Sequence, residues 1–402
     1  MSQRQSNLIV VLDAGSAWTR VLAADLNEGA LRYRGHAVVE SAGMRKSLIA
    51  ELGPAARGIK AACDQVERAV RVNVDECVVG VGGPHVGCVN TTATMNFGTR
   101  MREIGNEDVG VVIERARSVP MPADREILHL LTRQFVLDHQ PGIHDPVGMV
   151  GNRLEADLHV STCSGSAMQS LVTCANRAGL EVTDTVFEAI AAAEATLTAD
   201  ERELGVCVLD IGAHSTEVVV FFEGAVAHTA SIPFGGKHFT NDLAVMLELP
   251  IAVAEQVKLK YGHTVVTAIP QIDEIEIRAP RLVQVRHRRI AEILEPRAWE
   301  LMEAVRDSLR DGGVLEALGA GCVVTGGGAM LPGLLEVGES ILHVRARMGH
   351  PVQFSRMPHE LAHPSFTTLI GLMLYSHRKR MTRGMENQGL RSKLRAIFAA
   401  SA

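Results

Sequence analysis

The sequence predicts two similar α/β domains facing each other across a cleft, followed by a short amphipathic tail. Three observations predict this. A continuous apolar run ending in Asp-x-Gly occurs twice, about half a chain apart, each time with the same downstream pattern. A triple-glycine loop follows another apolar run late in the chain. The stretch from residue 377 onward gathers positive charge behind an acidic body.

The first copy begins at Leu8 with LIVVLDAG, passes through small and hydroxylic residues into a second apolar run, and turns at Asn27-Glu28-Gly29 into a third strand. The second begins at Val206 with VCVLDIG and repeats the pattern through a Glu223-Gly224 turn. Uninterrupted apolar runs are expected of strands buried on both faces, and a repeated unit is the most economical sign of duplicated architecture. Each turn offers a hydroxyl (Ser16 in one, Ser215 and Thr216 in the other), backbone N–H groups and one aspartate, Asp13 or Asp210. Two carboxylates facing a polyphosphate would repel it unless a divalent cation lay between them. Mg²⁺ suits that place, because it takes one or two carboxylates together with phosphates and water. A single Asp-x-Gly is ordinary turn chemistry; two in matching contexts point to a nucleotide site.

The third element is Gly326-Gly327-Gly328, after the apolar run at 322–325 and before a helix-like stretch from Leu334 to Leu342. Glycine lets backbone approach a ligand closely. No Walker-type G-x-x-x-x-G-K-[ST] and no G-x-G-x-x-G after the first strand are present, which excludes the P-loop and Rossmann signatures.

Composition narrows the function. The 402 residues are 47% hydrophobic, with mean hydropathy +0.11 and net charge −6, so the body is no general nucleic-acid binder. From His377 onward seven basic residues and one acid give a net +6. The seven cysteines include no C-x-x-C pair and read as reduced core thiols. No apolar stretch reaches the ~20 residues of a membrane-spanning helix, so membrane contact is expected to be peripheral.

The ordered motifs resemble the actin/Hsp70/hexokinase superfamily and, within it, the FtsA family of bacterial division proteins. LDAGSAWTRVLA (12–23) looks like the phosphate-1 loop, and the stretch 187–221 like connect-1 leading into phosphate-2. SIPFGGKHFTNDLA (231–244) and AEQVKLKYG (254–262) are similar to the FtsA pattern. CVVTGGGAMLPGLLE (322–336) looks like the adenosine loop, and HPSFTTLIGLMLY (363–375) like connect-2. The resemblance implies duplicated ribonuclease-H-like domains flanking a nucleotide cleft. Subdomain 1A would comprise 1–83 and 165–200, an inserted SHS2-like 1C subdomain 84–164, 2A 201–262 with 311–376, and 2B 263–310. It further implies that Asp13, Gly15 and Ser16 hold phosphates and metal from one side, and Asp210, Gly212, Ser215 and Thr216 from the other. Gly235 and Gly236 would line the cleft, Glu255 and Lys258 would reach the ribose and base, and Gly326, Gly327 and Gly328 would form the floor under adenine. Glu188 stands where related ATPases orient the attacking water; its alternative is a helix-cap or surface glutamate. Glu255 and Lys258, at i, i+3, are alternatively a solvated ion pair.

The superfamily's Asp-x-Gly-Gly-Gly-Thr is Asp210-Ile211-Gly212-Ala213-His214-Ser215-Thr216 here. The added bulk predicts ATP binding with hydrolysis weak or slow. The family implies ATP and Mg²⁺ as cofactors, filament formation with further copies, the C-terminal peptide of FtsZ on 2B, other membrane proteins of division on 1C, and no nucleic acid. Arg286, Arg288, Arg289 and Arg297 are candidate contacts for that peptide, or alternatively a solvated helix face, on a helix expected to break at Pro296. The histidines at 129, 139, 144 and 159 lack metal-ligand spacing. Alternatives are a PilM-like pilus-assembly ATP-binding protein, which is not expected to carry a terminal amphipathic helix, and a small-molecule kinase of the same superfamily.

Residues 377–389 read as a flexible basic linker and 390–402 as an amphipathic helix. Leu390, Leu394, Ile397 and Phe398 share one face, with Arg391 and Arg395 beside it. Pattern alone leaves open a helix docked on the body or a partner. The resemblance implies reversible anchoring to anionic lipid, on the inner face of the cell membrane at the division site.

Overall fold

The computed structural model describes residues 7–382 apart from 28, 99, 119, 271–273 and 279–281. The expected tail helix, with Leu390, Arg391, Leu394, Arg395, Ile397 and Phe398, lies outside the described residues.

The first domain opens with a meander of β1 (Leu8–Ala14), β2 (Trp18–Asn27) and β3 (Ala30–Glu40). Helix α1 (Leu52–Val70) covers one face through Ile59, Cys63 and Val66, and leads to β4 (Glu76–Val81), parallel to β1. An inserted unit follows: β5 (Gly87–Asn96), α2 (Asn106–Arg117), β6 (Arg125–Leu137), β7 (Gln140–Ile143) and β8 (Arg153–Ser164). Its sheet runs β7-β6-β8-β5, and α2 packs Val112 and Ala116 onto Phe135, Leu154 and Leu158 to make a separate core. The unit's expected extra subdomain is therefore a folded body of its own. Its histidines at 129 and 159 are structural. His129 accepts the Phe187 N–H at 2.9 Å, and burial lowers its pKa to about 4. His159, lowered by burial to about 3, bonds Thr229 across to the second domain at 3.0 Å.

The chain re-enters the first domain with α3 (Gly165–Arg177), β9 (Glu181–Phe187) and α4 (Glu188–Thr196), then crosses through α5 (Ala199–Leu204). The second domain repeats the first: a meander of β10 (Val206–Ile211), β11 (Thr216–Phe222) and β12 (Ala225–Ile232), then α6 (Gly236–Met246) and α7 (Ile251–Tyr261). A two-stranded ribbon, β13 (Glu274–Arg278) with β14 (Leu282–Arg286), precedes the long α8 (His287–Asp311). Strand β15 (Gly321–Thr325), α9 (Leu334–Leu342) and β16 (Ala346–Met348) complete it. The two sheets have the same order, β3-β2-β1-β4-β9 and β12-β11-β10-β15-β16. In each, a meander gains two parallel strands beside its first strand.

Two expectations change. Helix α8 is continuous through Pro296. A proline inside a helix costs about 3 kcal/mol, but Ile293, Leu294, Ala298 and Leu301 around it are buried, and each large apolar side chain contributes about 1.5–3 kcal/mol when buried. The basic segment also begins as structure, because a helix spans 367–382. His377 Nε2 donates to the Gly29 carbonyl at 2.8 Å, Arg378 pairs with Glu194 at 3.0 Å, Lys379 with Asp184 at 2.5 Å, and Arg380 donates to the Leu8 carbonyl at 3.2 Å. These partners hold residues read from sequence as linker against the first domain.

Candidate functional site

The duplicated meanders place their aspartates identically. Asp13 pairs across the ladder with Arg20 and Ala14 with Thr19; Asp210 pairs with Glu217 and Ile211 with Thr216. Each hairpin therefore has the same four-residue connection, Gly15-Ser16-Ala17-Trp18 or Gly212-Ala213-His214-Ser215. Both connections open onto one cleft of about 1180 Å³ between the domains.

The matched positions carry opposite charge. Arg20 bonds Asp13 at 2.9 Å, whereas Glu217 accepts the Gly83 N–H at 2.8 Å and remains among acids. Asp210 accepts a hydrogen bond from Thr368 and is pushed up to about 6, first by burial and then by Asp13, with Thr368 and Arg20 opposing. Glu217 is pushed up to about 7, chiefly by burial. Glu188, the first residue of α4, is raised by burial, Asp13, Glu217 and Asp210, against Arg20. Its carboxylate lies over Gly82, where a Cβ would come within 2.1 Å of Oε2. Glu188 is thus a cleft carboxylate and caps no helix.

The pair Glu255 and Lys258 is no solvated couple. Lys258 Nζ donates to Glu255 at 3.1 Å, to the Gly236 carbonyl at 2.9 Å and to Thr240 at 2.9 Å. This network fixes α7 against the start of α6, beside Gly328. Gly235 and Gly328 are close-approach positions: an added Cβ would sit 2.7 Å from the Gly212 carbonyl oxygen in the first and 2.9 Å from the Ile211 carbonyl oxygen in the second. The phosphate-2 turn is tightly internal. Gly212 N–H donates to the Ser215 carbonyl, while the Gly212 and Ala213 carbonyls accept from the Gly236 and Lys237 N–H groups.

The cleft brings together Asp13, Gly15, Ser16, Glu188, Asp210, Gly212, Ser215, Gly236, Glu255, Lys258 and Gly326 to Gly328. Thr216 stands apart from the expected phosphate set, since it is fully buried and its hydroxyl donates to the Phe234 carbonyl at 2.8 Å. Gly235 supports the wall from behind. Sequence reasoning missed Arg20, Ser47 and Thr368. Arg20 had a signal, being the one basic residue in the largely apolar β2; Ser47 and Thr368 reach the site only through folding.

Among the described residues no group of three or more His, Cys, Asp or Glu side chains is arranged to hold a metal directly. The buried atoms Arg20 Nε, His85 Nδ1 and Glu217 Oε2 have no internal hydrogen-bond partner and belong to residues lining the cleft. Polar groups left unpaired in a buried wall are costly, and a hydrated cation with its polyphosphate supplies both donors and acceptors. The residues therefore fit a Mg²⁺-nucleotide held through water.

The acids make one prediction. A carboxyl whose folded pKa exceeds its unfolded value holds more protons when folded, so the stability it contributes is full below the unfolded pKa and is lost as pH rises through the folded one. For Glu217 that window runs from the ordinary glutamate value of 4.5 to about 7. The melting temperature of the ligand-free protein should fall as pH rises across that window. Glu217→Gln, which keeps the Gly83 contact, should flatten the decline in a calorimetric pH series.

Duplicated five-stranded sheets of this order, closing an acid-lined cleft with a glycine floor, define an actin-like fold. A chain of the PilM–PilN type IV pilus biogenesis complex superposes with TM-score 0.65 at 18% identity, over 91% of this chain and 98% of that one. MreB5 of Spiroplasma citri bound to ADP superposes with TM-score 0.56 at 14% identity, over 95% and 99%. At such identities the likeness concerns fold alone. The family model "Cell division protein FtsA" matches residues 207–371, and "SHS2 domain inserted in FTSA" matches 83–162. The cell division protein FtsA of Pseudomonas aeruginosa is 34% identical over 384 residues, 94% of this chain and 91% of that protein. Those of Escherichia coli K12 and Bacillus subtilis are each 31% identical, over 92% and 94% of this chain and 90% and 86% of theirs. The chain belongs to the FtsA family of cell division proteins.

Proposed function

We propose that this chain is an ATP-binding adaptor of cell division. It binds ATP with Mg²⁺ between its domains and self-associates into actin-like filaments. It holds FtsZ polymers through their C-terminal peptide on the 263–310 region, and meets later division proteins through the inserted unit. It rests on the inner face of the cytoplasmic membrane through the stripe Leu390, Leu394, Ile397 and Phe398. The observation that carries the reading is the pair of opposed Asp-x-Gly hairpins at matching register around one cleft.

In this reading Asp13 and Asp210 hold the hydration shell of Mg²⁺ from opposite sides, and the cation supplies charge neutralisation between carboxylates and phosphates. Ser16 and Ser215 donate hydroxyls to phosphate oxygens. Lys258 and Glu255 meet the ribose and base, above the Gly326–Gly328 floor. Two features support slow hydrolysis. The Gly212 N–H is committed to the Ser215 carbonyl. Burial first, and then the acids around it, raise the pKa of Glu188, which holds the carboxyl more in its protonated form, and in that form it takes no proton from an attacking water.

Co-sedimentation with anionic liposomes tests the tether, comparing the full chain with one ending at Thr382. That end keeps the docked helix, which a cut at Ser376 would destroy. With ATP and Mg²⁺ the full chain should pellet and bring FtsZ with it, while the truncated chain stays in solution. Equal pelleting defeats the tether, and a pellet without FtsZ defeats the adaptor role.

A further inference from the structure

Between the two phosphate turns stands a residue that neither turn contains. Ser16 Oγ donates to Ser47 Oγ at 3.1 Å, and Ser47 Oγ lies 3.0 Å from Ser215 Oγ. One hydroxyl thus bridges the first domain's turn to the second's, over 168 positions of sequence to Ser215. We propose that Ser47 is a third phosphate-binding hydroxyl, and that it reads the end of the nucleotide farthest from the base.

The backbone supports this. Ser47 and Lys46 have φ of +62° and +50°, at the tip of a short ladder pairing Arg45 with Leu48. Two central residues with positive φ make the mirror-image hairpin turn that favours Asn-Gly or Gly-Gly. A side chain with a β-carbon is strained there, and such strain persists where the surroundings fix it and concentrates at functional sites. The surroundings here include Gly83, with φ +111°, where a Cβ would approach both the Cβ and carbonyl oxygen of Ser47 at 3.1 Å. The N–H of the same Gly83 supports Glu217. Ser47, the Gly82-Gly83 corner and the cleft acids therefore form one contiguous wall.

The direction of reading follows from which domain supplies what. Gly236, Glu255, Lys258 and the Gly326–Gly328 floor all belong to the second domain, and in the proposed function they hold the nucleoside. Ser16 belongs to the first. A phosphate lying between the two turns is remote from the nucleoside, and it meets the hydroxyls of Ser16, Ser47 and Ser215 together. Each neutral hydroxyl–hydroxyl contact is then exchanged for a stronger hydrogen bond to an anionic oxygen. ATP presents that phosphate and ADP does not.

The inference rests on the nucleotide reading, and one titration series separates the two. Affinities of the full chain for ATP and for ADP, each with Mg²⁺, are measured by calorimetry for the wild type, Ser47→Gly and Ser47→Ala. Glycine relieves the positive φ, so Ser47→Gly should melt at or above the wild-type temperature. It should also weaken ATP about tenfold while changing ADP less than about twofold, as expected for one lost hydrogen bond to a charged group. Ser47→Ala should show the same split. Equal weakening of both nucleotides would make Ser47 a structural bridge between the turns and overturn the proposal, as would unchanged ATP affinity. A wild type that binds neither nucleotide defeats the nucleotide reading itself and the inference with it.

Discussion

Gly326→Ala should eliminate measurable ATP binding and destabilise the protein by about 2–5 kcal/mol, from left-handed strain of about 1–2 kcal/mol and overpacking of about 1–3 kcal/mol. Gly326 has φ +89°, and a Cβ there would lie 2.3 Å from Asp210 Oδ1 and 2.5 Å from the Ile211 carbonyl oxygen. Neither neighbour has room to yield. The Asp210 carboxylate is held by Thr368, and Ile211 is fully buried at the end of β10. The new methyl would therefore displace the carboxylate proposed to hold the cation or lift the glycine floor beneath the base. Gly327 provides the control, since a Cβ there meets only Ser365 Cβ at 3.8 Å, an ordinary contact. Gly327→Ala should retain binding within a few-fold. Fluorescent-nucleotide titration with calorimetry compares the two. If Gly326→Ala bound ATP like the wild type, the placement of the nucleotide over this loop would be wrong.

The second large effect concerns stability at a distance from any ligand. Gly371 lies in the helix 367–382, against α4, and a Cβ there would fall 1.7 Å from the Ala191 carbonyl oxygen. Alanine is favoured over glycine within a helix by about 1 kcal/mol. A backbone clash of this depth outweighs that gain, because overpacking against groups that cannot move costs about 1–3 kcal/mol or more. Gly371→Ala should lower the melting temperature by several degrees. Gly58→Ala, in α1 with nothing within 4 Å of the new methyl, should raise it, by up to about 1 kcal/mol of stability. Thermal melts of the two variants should move in opposite directions. A stabilised Gly371→Ala would show that the helix does not pack closely on α4 in solution. Its first turn carries Thr368 to Asp210, so this mutation should also weaken nucleotide binding.

Much of the architecture was legible in the chain itself. The apolar runs ending at Asp13 and Asp210 specify buried strands, and the residues after each aspartate specify a short hairpin, because both signals act over a few neighbouring positions. The glycine loop at 326–328 was legible for the same reason: glycine is used where backbone must approach closely. The family motifs extended that reading to Glu255, Lys258 and Glu188, and the same resemblance implied the inserted unit at 84–164.

The remainder depended on contacts between residues far apart in sequence. Only packing decides that α8 passes unbroken through Pro296, since the buried side chains on either side outweigh the local cost. Only the acids and carbonyls of the first domain turn residues 377–382 from an expected linker into helix. Thr216 looks like a phosphate ligand until the Phe234 carbonyl is found beside it. Ser47 carries no local signal at all, yet the fold sets its hydroxyl between two turns. The sequence by itself determined that two equivalent carboxylate-bearing hairpins exist, because hydrophobic periodicity and turn chemistry are local. Tertiary structure alone decided which side chains stand between those hairpins and how their charges shift, because burial and electrostatic coupling belong to positions in space.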